Sequence, residues 1–90
     1  MSGSQWLQVG RAGGRHDQDP LVWNGEIVVV TRSDDANPTG TATFIDTTKD
    51  ATHPDRGFSV TQPSEFLQPV VVGGDLVLVT EGGVVLIYSP

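Results

Sequence analysis

The segment 75-DLVLVTEGGVVLIYSP-90 consists of two apolar runs on either side of a Glu-Gly-Gly turn. Runs of Val, Leu, Ile and Tyr around a glycine-rich turn are typical of a β-hairpin, because β-branched and aromatic residues favour strands and glycine accepts the angles of tight turns. A hairpin in a small domain usually alternates apolar and polar residues, since one of its faces meets water. Here almost no polar residue interrupts either run, so both faces of the predicted hairpin are apolar.

The length of the turn decides which residues share a face. A two-residue turn at Gly82 and Gly83 places one set of apolar residues on the first face: Leu76, Leu78, Val85 and Ile87. The second face then carries the remaining set: Val77, Val79, Val84, Leu86 and Tyr88. A three-residue turn over 81–83 exchanges the partners between the faces and leaves both faces apolar.

Strands with two apolar faces belong in sheets that are covered on both sides. An exposed face of this kind would leave several kcal/mol of apolar burial unrealised, at about 25 cal/mol per Å². Two covers are open: residues 1–9 together with Phe44, Phe58 and Phe66, or a second chain. The sequence favours the second chain, because the middle of this one offers few other apolar residues.

The rest of the sequence also predicts short strands and tight turns. Residues 21–31, LVWNGEIVVVT, indicate strand, Asn-Gly turn and strand, with Trp23 in the core, and a Gly73-Gly74 turn adds a strand before the terminal hairpin. Shorter strands are expected at 41–47 and 58–62, and residues 64–67 allow a single helical turn. The pattern predicts an all-β fold: a flexible or docked N-terminal arm over residues 1–20, and a small β-sandwich or β-barrel over residues 21–90 that ends in the hairpin.

Composition limits the classes of function. The 90 residues make a single domain, and without cysteine the chain has neither disulfides nor thiolate metal sites. Five basic and eleven acidic residues give a net charge of −6, which disfavours general nucleic-acid binding because phosphate contacts need Lys and Arg. No apolar run reaches the roughly 20 residues of a membrane helix, and the first residues show no signal-peptide pattern. We therefore expect a soluble protein, cytoplasmic or associated with a virion, that binds no membrane.

Two loops hold the grouping of histidines and carboxylates in this sequence. His16 and Asp17 lie in one loop and His53 and Asp55 in the other, and they are weak candidates for a divalent-metal site. Their spacing matches no common ligand pattern, and solvated turn residues near proline explain them better. No serine lies in a nucleophile motif, and so short a chain has little room for a substrate pocket. We expect no enzyme activity, no metal and no cofactor.

Two functional hypotheses fit these features. The first is a structural or assembly protein that forms a homo-oligomer or decorates a larger symmetric assembly, such as a capsid-decoration or head–tail protein of a tailed bacteriophage. This narrower class rests on the general style of such chains, which are short, acidic, cysteine-free, valine-rich and extended at the N-terminus. The second is a monomeric, acidic binding module, an inhibitor or adaptor for one protein partner. The first hypothesis predicts interface residues in the arm and the hairpin: Trp6, Leu7, Val9, Val77, Val79, Val84, Leu86 and Tyr88.

Overall fold

In the computed structural model, which describes residues 8–47 and 57–90, every element of regular secondary structure is a β-strand. The strands are β1 (Leu21–Trp23), β2 (Glu26–Arg32), β3 (Gly40–Asp46), β4 (Gly57–Gln62), β5 (Val70–Val72), β6 (Asp75–Val79) and β7 (Val85–Tyr88). They form two antiparallel sheets, with strand orders β1-β2-β3-β4 and β5-β6-β7. The predicted all-β fold is confirmed, and within the described residues no pairing closes the sheets into a barrel. The described part of the chain has no helix that is long and apolar enough to cross a membrane.

Two hairpins form at dipeptides that the sequence marks as turns. Asn24 and Gly25 connect β1 to β2 with φ values of 51° and 74°, and Gly73 and Gly74 connect β5 to β6 with 58° and 86°. Two successive positive φ angles give the turn whose twist matches that of paired strands. Asparagine and glycine suit these positions because most other side chains meet a steric cost there.

The core lies between the two sheets and is built from alternate residues of the strands. In β2, Val28 and Val30 are buried, whereas Ile27 and Val29 point to the outer side of the first sheet and are half-buried. The buried hydrophobic residues are Trp23, Val28, Val30, Ala42, Phe44, Phe66, Leu76 and Leu78. Full burial of the larger of these side chains stabilises the fold by about 1.5–3 kcal/mol each.

Phe44 of β3 lies at the centre of this core. Its ring stacks on Phe58 of β4 at 4.5 Å between centroids and meets Tyr88 of β7 at 5.1 Å. Trp23 of β1 approaches the same ring edge-on at 6.3 Å. The aromatic side chains thereby connect the first sheet to β7 of the second, and the predicted burial of Trp23 is confirmed.

Hydrogen bonds join the two sheets along one side. Trp23 Nε1 donates to the carbonyl oxygen of Gly74 at 2.9 Å, which links β1 to the turn between β5 and β6. The side-chain amide of Gln68 accepts from the N–H of Asp19 at 2.9 Å and donates to the carbonyl of Asp19 at 3.1 Å. The edge strand β1 therefore lies over β5, while the aromatic contacts bring β4 to β7 on the opposite side.

Residues 64–67 form no helical turn, so that prediction is wrong. The segment is extended and pairs with the end of β6: the Leu67 N–H donates to the Val79 carbonyl at 2.8 Å, and the Glu81 N–H donates to the Glu65 carbonyl at 2.9 Å. Phe66, between these bonds, is buried. A single helical turn is weak in isolation, and burying a phenylalanine while pairing the main chain outweighs it.

Candidate interaction surface

The outer face of the second sheet is apolar and exposed. Seven aliphatic residues point outward from its strands and from the segment that precedes β5, and we call them the aliphatic face: Leu67, Val70, Val72, Val77, Val79, Val85 and Ile87. Val72, Val85 and Ile87 are 61%, 55% and 64% exposed. On the inner side of the same sheet, Leu76 and Leu78 are 0% exposed. The second sheet is therefore apolar on both sides, and one of those sides meets water.

A β-bulge places both Leu67 and Val70 on this face. Leu67 pairs with the end of β6 and Val70 with its middle, so Gln68 and Pro69 together lie opposite Leu78. In a regular strand, residues three positions apart point to opposite faces. The extra residue of the bulge turns Val70 back to the outside. Pro69 suits this position because it has no N–H to donate to the ladder.

The terminal hairpin uses the three-residue turn. The Thr80 N–H donates to the Val84 carbonyl at 2.9 Å, and the Gly83 N–H donates to the Thr80 carbonyl at 3.0 Å. Gly83 has a φ of 92°, the left-handed conformation that closes three-residue hairpin turns and that glycine adopts without steric cost. The two-residue turn at Gly82 and Gly83 is therefore not formed.

This register decides between the two arrangements of faces that the sequence leaves open. Leu86 pairs with Leu78, and Leu86 and Tyr88 pack against the core. The position beside Val77 and Val79 that the two-residue turn gives them is therefore wrong, and the exchange of partners expected for the three-residue turn is the one formed. The aliphatic face takes Val85 and Ile87 from β7 instead.

Other predicted interface residues lie away from this face or outside the described structure. Trp6 and Leu7 fall outside the described residues. Val9 is half-buried in the arm, and Val84 is 40% exposed next to the hairpin turn. Sequence reasoning missed the side of the face formed by Leu67 and by Val70 and Val72 of β5. Their apolar character was visible, but the bulge that turns them outward has no local signal beyond the proline.

The N-terminal arm lies on the outer side of the first sheet. A Cβ atom added to Gly10 would come within 2.6 Å of Ile45 Cγ2 in β3. The N–H of Arg15 donates to the carbonyl of Arg32 in β2 at 2.8 Å, and the reverse bond measures 3.0 Å. The arm thus covers part of the first sheet within the same chain. This cover leaves the aliphatic face of the second sheet exposed.

Charged residues stand at the two ends of the aliphatic face. Asp75 pairs with Val72 at one end of the sheet, and Glu81 follows β6 at the other. A hydrogen bond between Glu81 and Glu65 raises the pKa of Glu65 above its usual 4.5, with a further contribution from burial. The face is therefore an apolar surface between two acidic ends.

A small cleft beside the arm is lined by four charged side chains, but it is small and its opposite charges are paired. Its volume is about 10 Å³, room for about one water molecule and far below the roughly 300–1,000 Å³ of ligand pockets. The charged residues in its lining are Arg15, Asp17, Arg32 and Glu65. Arg32 hydrogen-bonds to Asp17 and lies 3.6 Å from a carboxylate oxygen of Glu65, so opposite charges already neutralise one another.

Two of the four weak metal candidates, His16 and Asp17, lie within the described residues. The hydrogen bond from Arg32 holds the pKa of Asp17 below its usual 3.8, so this carboxylate is already paired. His16 is exposed, and His53 and Asp55 lie outside the described residues. The described ranges contain no group of three or more His, Asp or Glu side chains placed to hold a metal ion.

Comparisons with protein-family models, with curated proteins and with solved structures found no match. The function therefore has to be inferred from the geometry of the aliphatic face and its surroundings.

Proposed function

We propose that this chain is a non-enzymatic structural protein that associates with copies of itself through the aliphatic face. The product is a homo-oligomer or a subunit layer of a larger symmetric assembly. The observation that carries the proposal is an aliphatic face on one side of a single sheet, in which five of the seven side chains are exposed and the other two, Val77 and Val79, are half-buried. Apolar burial is the main favourable term in protein association, and the largest exposed apolar patch of a small protein is often functional.

A second copy is the partner that fits the face best. The face has charges only at its ends, Asp75 and Glu81, so nothing within it selects a partner of opposite charge. Two flat, aliphatic sheet faces pack about 10 Å apart in ordinary sandwiches. The chain already packs the inner sides of its two sheets in this way. A two-fold axis would let the same patch serve both subunits.

The area of the aliphatic face determines the expected strength of self-association. From the exposed fractions of its members we take its area as roughly 400 Å². A stable interface of standard size buries about 800 Å² on each partner. One aliphatic face against another therefore gives a weak dimer, and tighter assembly needs the patch to be enlarged by a further contact.

Net charge opposes this association. Each copy carries −6, and the acidic ends of the face add local repulsion. Salt screens such repulsion over about 8–10 Å near physiological ionic strength. Raising the salt concentration should therefore strengthen self-association. The same increase in salt concentration would weaken binding to a partner that is held by positive charge.

A lysine placed on the face tests the proposal. Val70→Lys puts a charge in the aliphatic face, and Val22→Lys makes the same change at a residue that is 72% exposed on the outer side of the first sheet. We expect the wild-type chain to associate at micromolar concentration and Val70→Lys to raise the dissociation constant at least about tenfold, equivalent to about 1.4 kcal/mol. Val22→Lys should leave it unchanged. Sedimentation equilibrium measures the dissociation constants of the wild-type chain and of the two variants.

A monomeric wild-type chain at concentrations on the order of 100 µM would contradict the proposal. It would favour the monomeric binding module instead. Equal effects of the two lysine variants would show that charge, and not the aliphatic face, controls association. The narrower assignment to a capsid-decoration or head–tail protein of a bacteriophage stays a prediction from composition.

A further inference from the structure

The outer edge of β7 carries main-chain groups with no partner among the described residues. The Thr80–Val84 pair closes the hairpin with a hydrogen bond, so the bonded pairs recur at every second residue of the antiparallel ladder. Leu86 therefore points its N–H and carbonyl toward β6. Val85 and Ile87 point theirs toward the other edge of the strand. Within the described ranges, β7 pairs only with β6.

The edge strand β7, of four residues, lacks the charged side chains and prolines that usually protect an edge against strand pairing. Natural edge strands are blocked by charged side chains, prolines, bulges or very short length. The run from Val84 to Tyr88 contains no charge, no proline and no glycine. The edge strands β1 and β5 have three residues each, and β4 presents Ser59 and Thr61 on its outer side. Pairing through β7 thus combines free main-chain groups with apolar side chains on both faces.

We propose that β7 pairs antiparallel with β7 of a second copy across a two-fold axis, with Leu86 opposite Leu86 of the second copy. Val85 then lies opposite Ile87 of the second copy, and each of these pairs exchanges its two main-chain hydrogen bonds. This register uses the outward-pointing main-chain N–H and carbonyl groups of Val85 and Ile87. The glycines of the turn do not have to pair. Outer residues of one copy meet outer residues of the other, so the aliphatic face continues across the junction.

The pairing explains how a small patch supports a stable assembly, and in this respect the inference rests on the proposed function. It joins the three strands of each copy into one six-stranded sheet. The aliphatic face doubles to roughly 800 Å², the area that a standard interface needs from one partner. Two such sheets can then stack face to face, which combines two perpendicular two-fold contacts in a tetramer.

The antiparallel arrangement also separates the acidic hairpin turns. The turn over 81–83 ends at Val84, two positions from Leu86, the residue on the axis. At about 3.3 Å per residue, the turns of the two copies stand at least about 13 Å apart along the strands. This exceeds the screening length of about 8 Å at physiological salt, so the turns repel each other little. A parallel arrangement would bring them side by side.

Single cysteines test the register, because the natural chain has none. Leu86→Cys should form a covalent dimer under mild oxidation, since facing residues of a non-hydrogen-bonded pair have Cα atoms about 4.5 Å apart, within disulfide range. Val85→Cys is the matched control. Its counterpart lies diagonally, at about 7–8 Å, where a disulfide does not form readily. The yield is read on a non-reducing gel.

Hydrogen exchange of the wild-type protein provides a second measurement that does not depend on a variant near the core. The N–H groups of Val85 and Ile87 should exchange at least about tenfold more slowly in the associated protein than in a dilute sample, because only the pairing between copies protects them. The N–H of Leu86, bonded within the chain, should change less.

The outcomes separate this inference from the proposed function. Cross-linking of Leu86→Cys together with concentration-dependent protection of Val85 and Ile87 supports the edge pairing. Equal cross-linking of Val85→Cys and Leu86→Cys overturns the register. An oligomer whose Val85 and Ile87 amides stay unprotected overturns the edge pairing and leaves self-association through the face intact. A monomeric wild-type chain overturns both.

Discussion

Trp23 and Gly74 connect the two sheets: the indole Nε1 of Trp23, in β1, donates to the carbonyl oxygen of Gly74, in the turn between β5 and β6, at 2.9 Å. The same ring is buried against Phe44, with centroids 6.3 Å apart. One side chain thus contributes both to the core and to the closure of the sandwich. The sequence separation of the two residues is 51 positions, so the bond forms only in the folded chain.

Trp23→Phe separates these two contributions. Phenylalanine retains an aromatic ring near Phe44 but has no N–H for the Gly74 carbonyl. We expect a loss of about 1 kcal/mol for the hydrogen bond, with a further loss for the smaller ring. Chemical denaturation measures the change. Unchanged stability would mean that the carbonyl of Gly74 finds water as an equally good partner.

Gly40 is required by the close approach of β3 to residues 64–66. A Cβ at this position would lie 2.6 Å from the carbonyl oxygen of Ser64 and 2.9 Å from the main chain of the next two residues. Because these atoms are backbone, they cannot turn aside, and we expect Gly40→Ala to destabilise the fold by about 1–3 kcal/mol. Gly13→Ala is the matched control, since nothing lies within 4 Å of its added Cβ. Equal melting temperatures for the two variants would contradict the close packing.

Leu86 and Ile87 distinguish the two possible hairpin registers. Leu86 packs against the core, whereas Ile87 is 64% exposed. We expect Leu86→Ala to cost about 2 kcal/mol and Ile87→Ala less than about 1 kcal/mol. The free energies of unfolding should be measured at low protein concentration, so that self-association does not contribute. The reverse order of costs would indicate the two-residue turn.

Asp17 makes the attachment of the arm sensitive to acid. Because Arg32 hydrogen-bonds to its carboxylate, the pKa of Asp17 in the folded chain lies below its usual 3.8. The ionised form therefore favours the folded arrangement. The contribution is present above the usual, unfolded-state pKa of 3.8 and is lost as the pH falls through the lower, folded-state pKa.

Asp17→Asn should remove this acid-dependent step. We expect faster hydrogen exchange of the Arg15 and Arg32 amides at neutral pH in the variant, relative to the intrinsic rates. The wild-type chain should lose the corresponding protection only in acid. Asp35→Asn, in the exposed loop between β2 and β3, makes the same charge change away from Arg32 and should behave like the wild type. The same acid dependence in both variants would mean that Asp17 does not hold the arm.

Local chemistry explains the parts of the fold that the sequence predicts correctly. Asn24-Gly25 and Gly73-Gly74 form their turns because these dipeptides tolerate two positive φ angles in succession. The β-branched runs form strands, and Trp23 is buried. Each of these features depends on residues within a few positions of one another.

The sequence does not correctly predict the features that depend on contacts between distant residues. A helical turn at 64–67 is locally acceptable, but pairing with β6 and burial of Phe66 replace it. The bulge at Gln68 and Pro69 depends on the register with β6 and on the bonds from Gln68 to Asp19. None of these partners is near in sequence, so no local sequence pattern predicts these contacts.

The terminal hairpin combines one feature that the sequence determines with one that only the tertiary structure decides. The sequence by itself determines that both of its faces are apolar, because this holds for either turn length. Only the tertiary structure decides which face turns inward, since Leu86 and Tyr88 gain burial against the core and Tyr88 meets the ring of Phe44. Only the tertiary structure shows that the arm lies on the first sheet, with Gly10 against Ile45. The outer face is left exposed because the described residues form two sheet layers, and each layer can cover one side of the other.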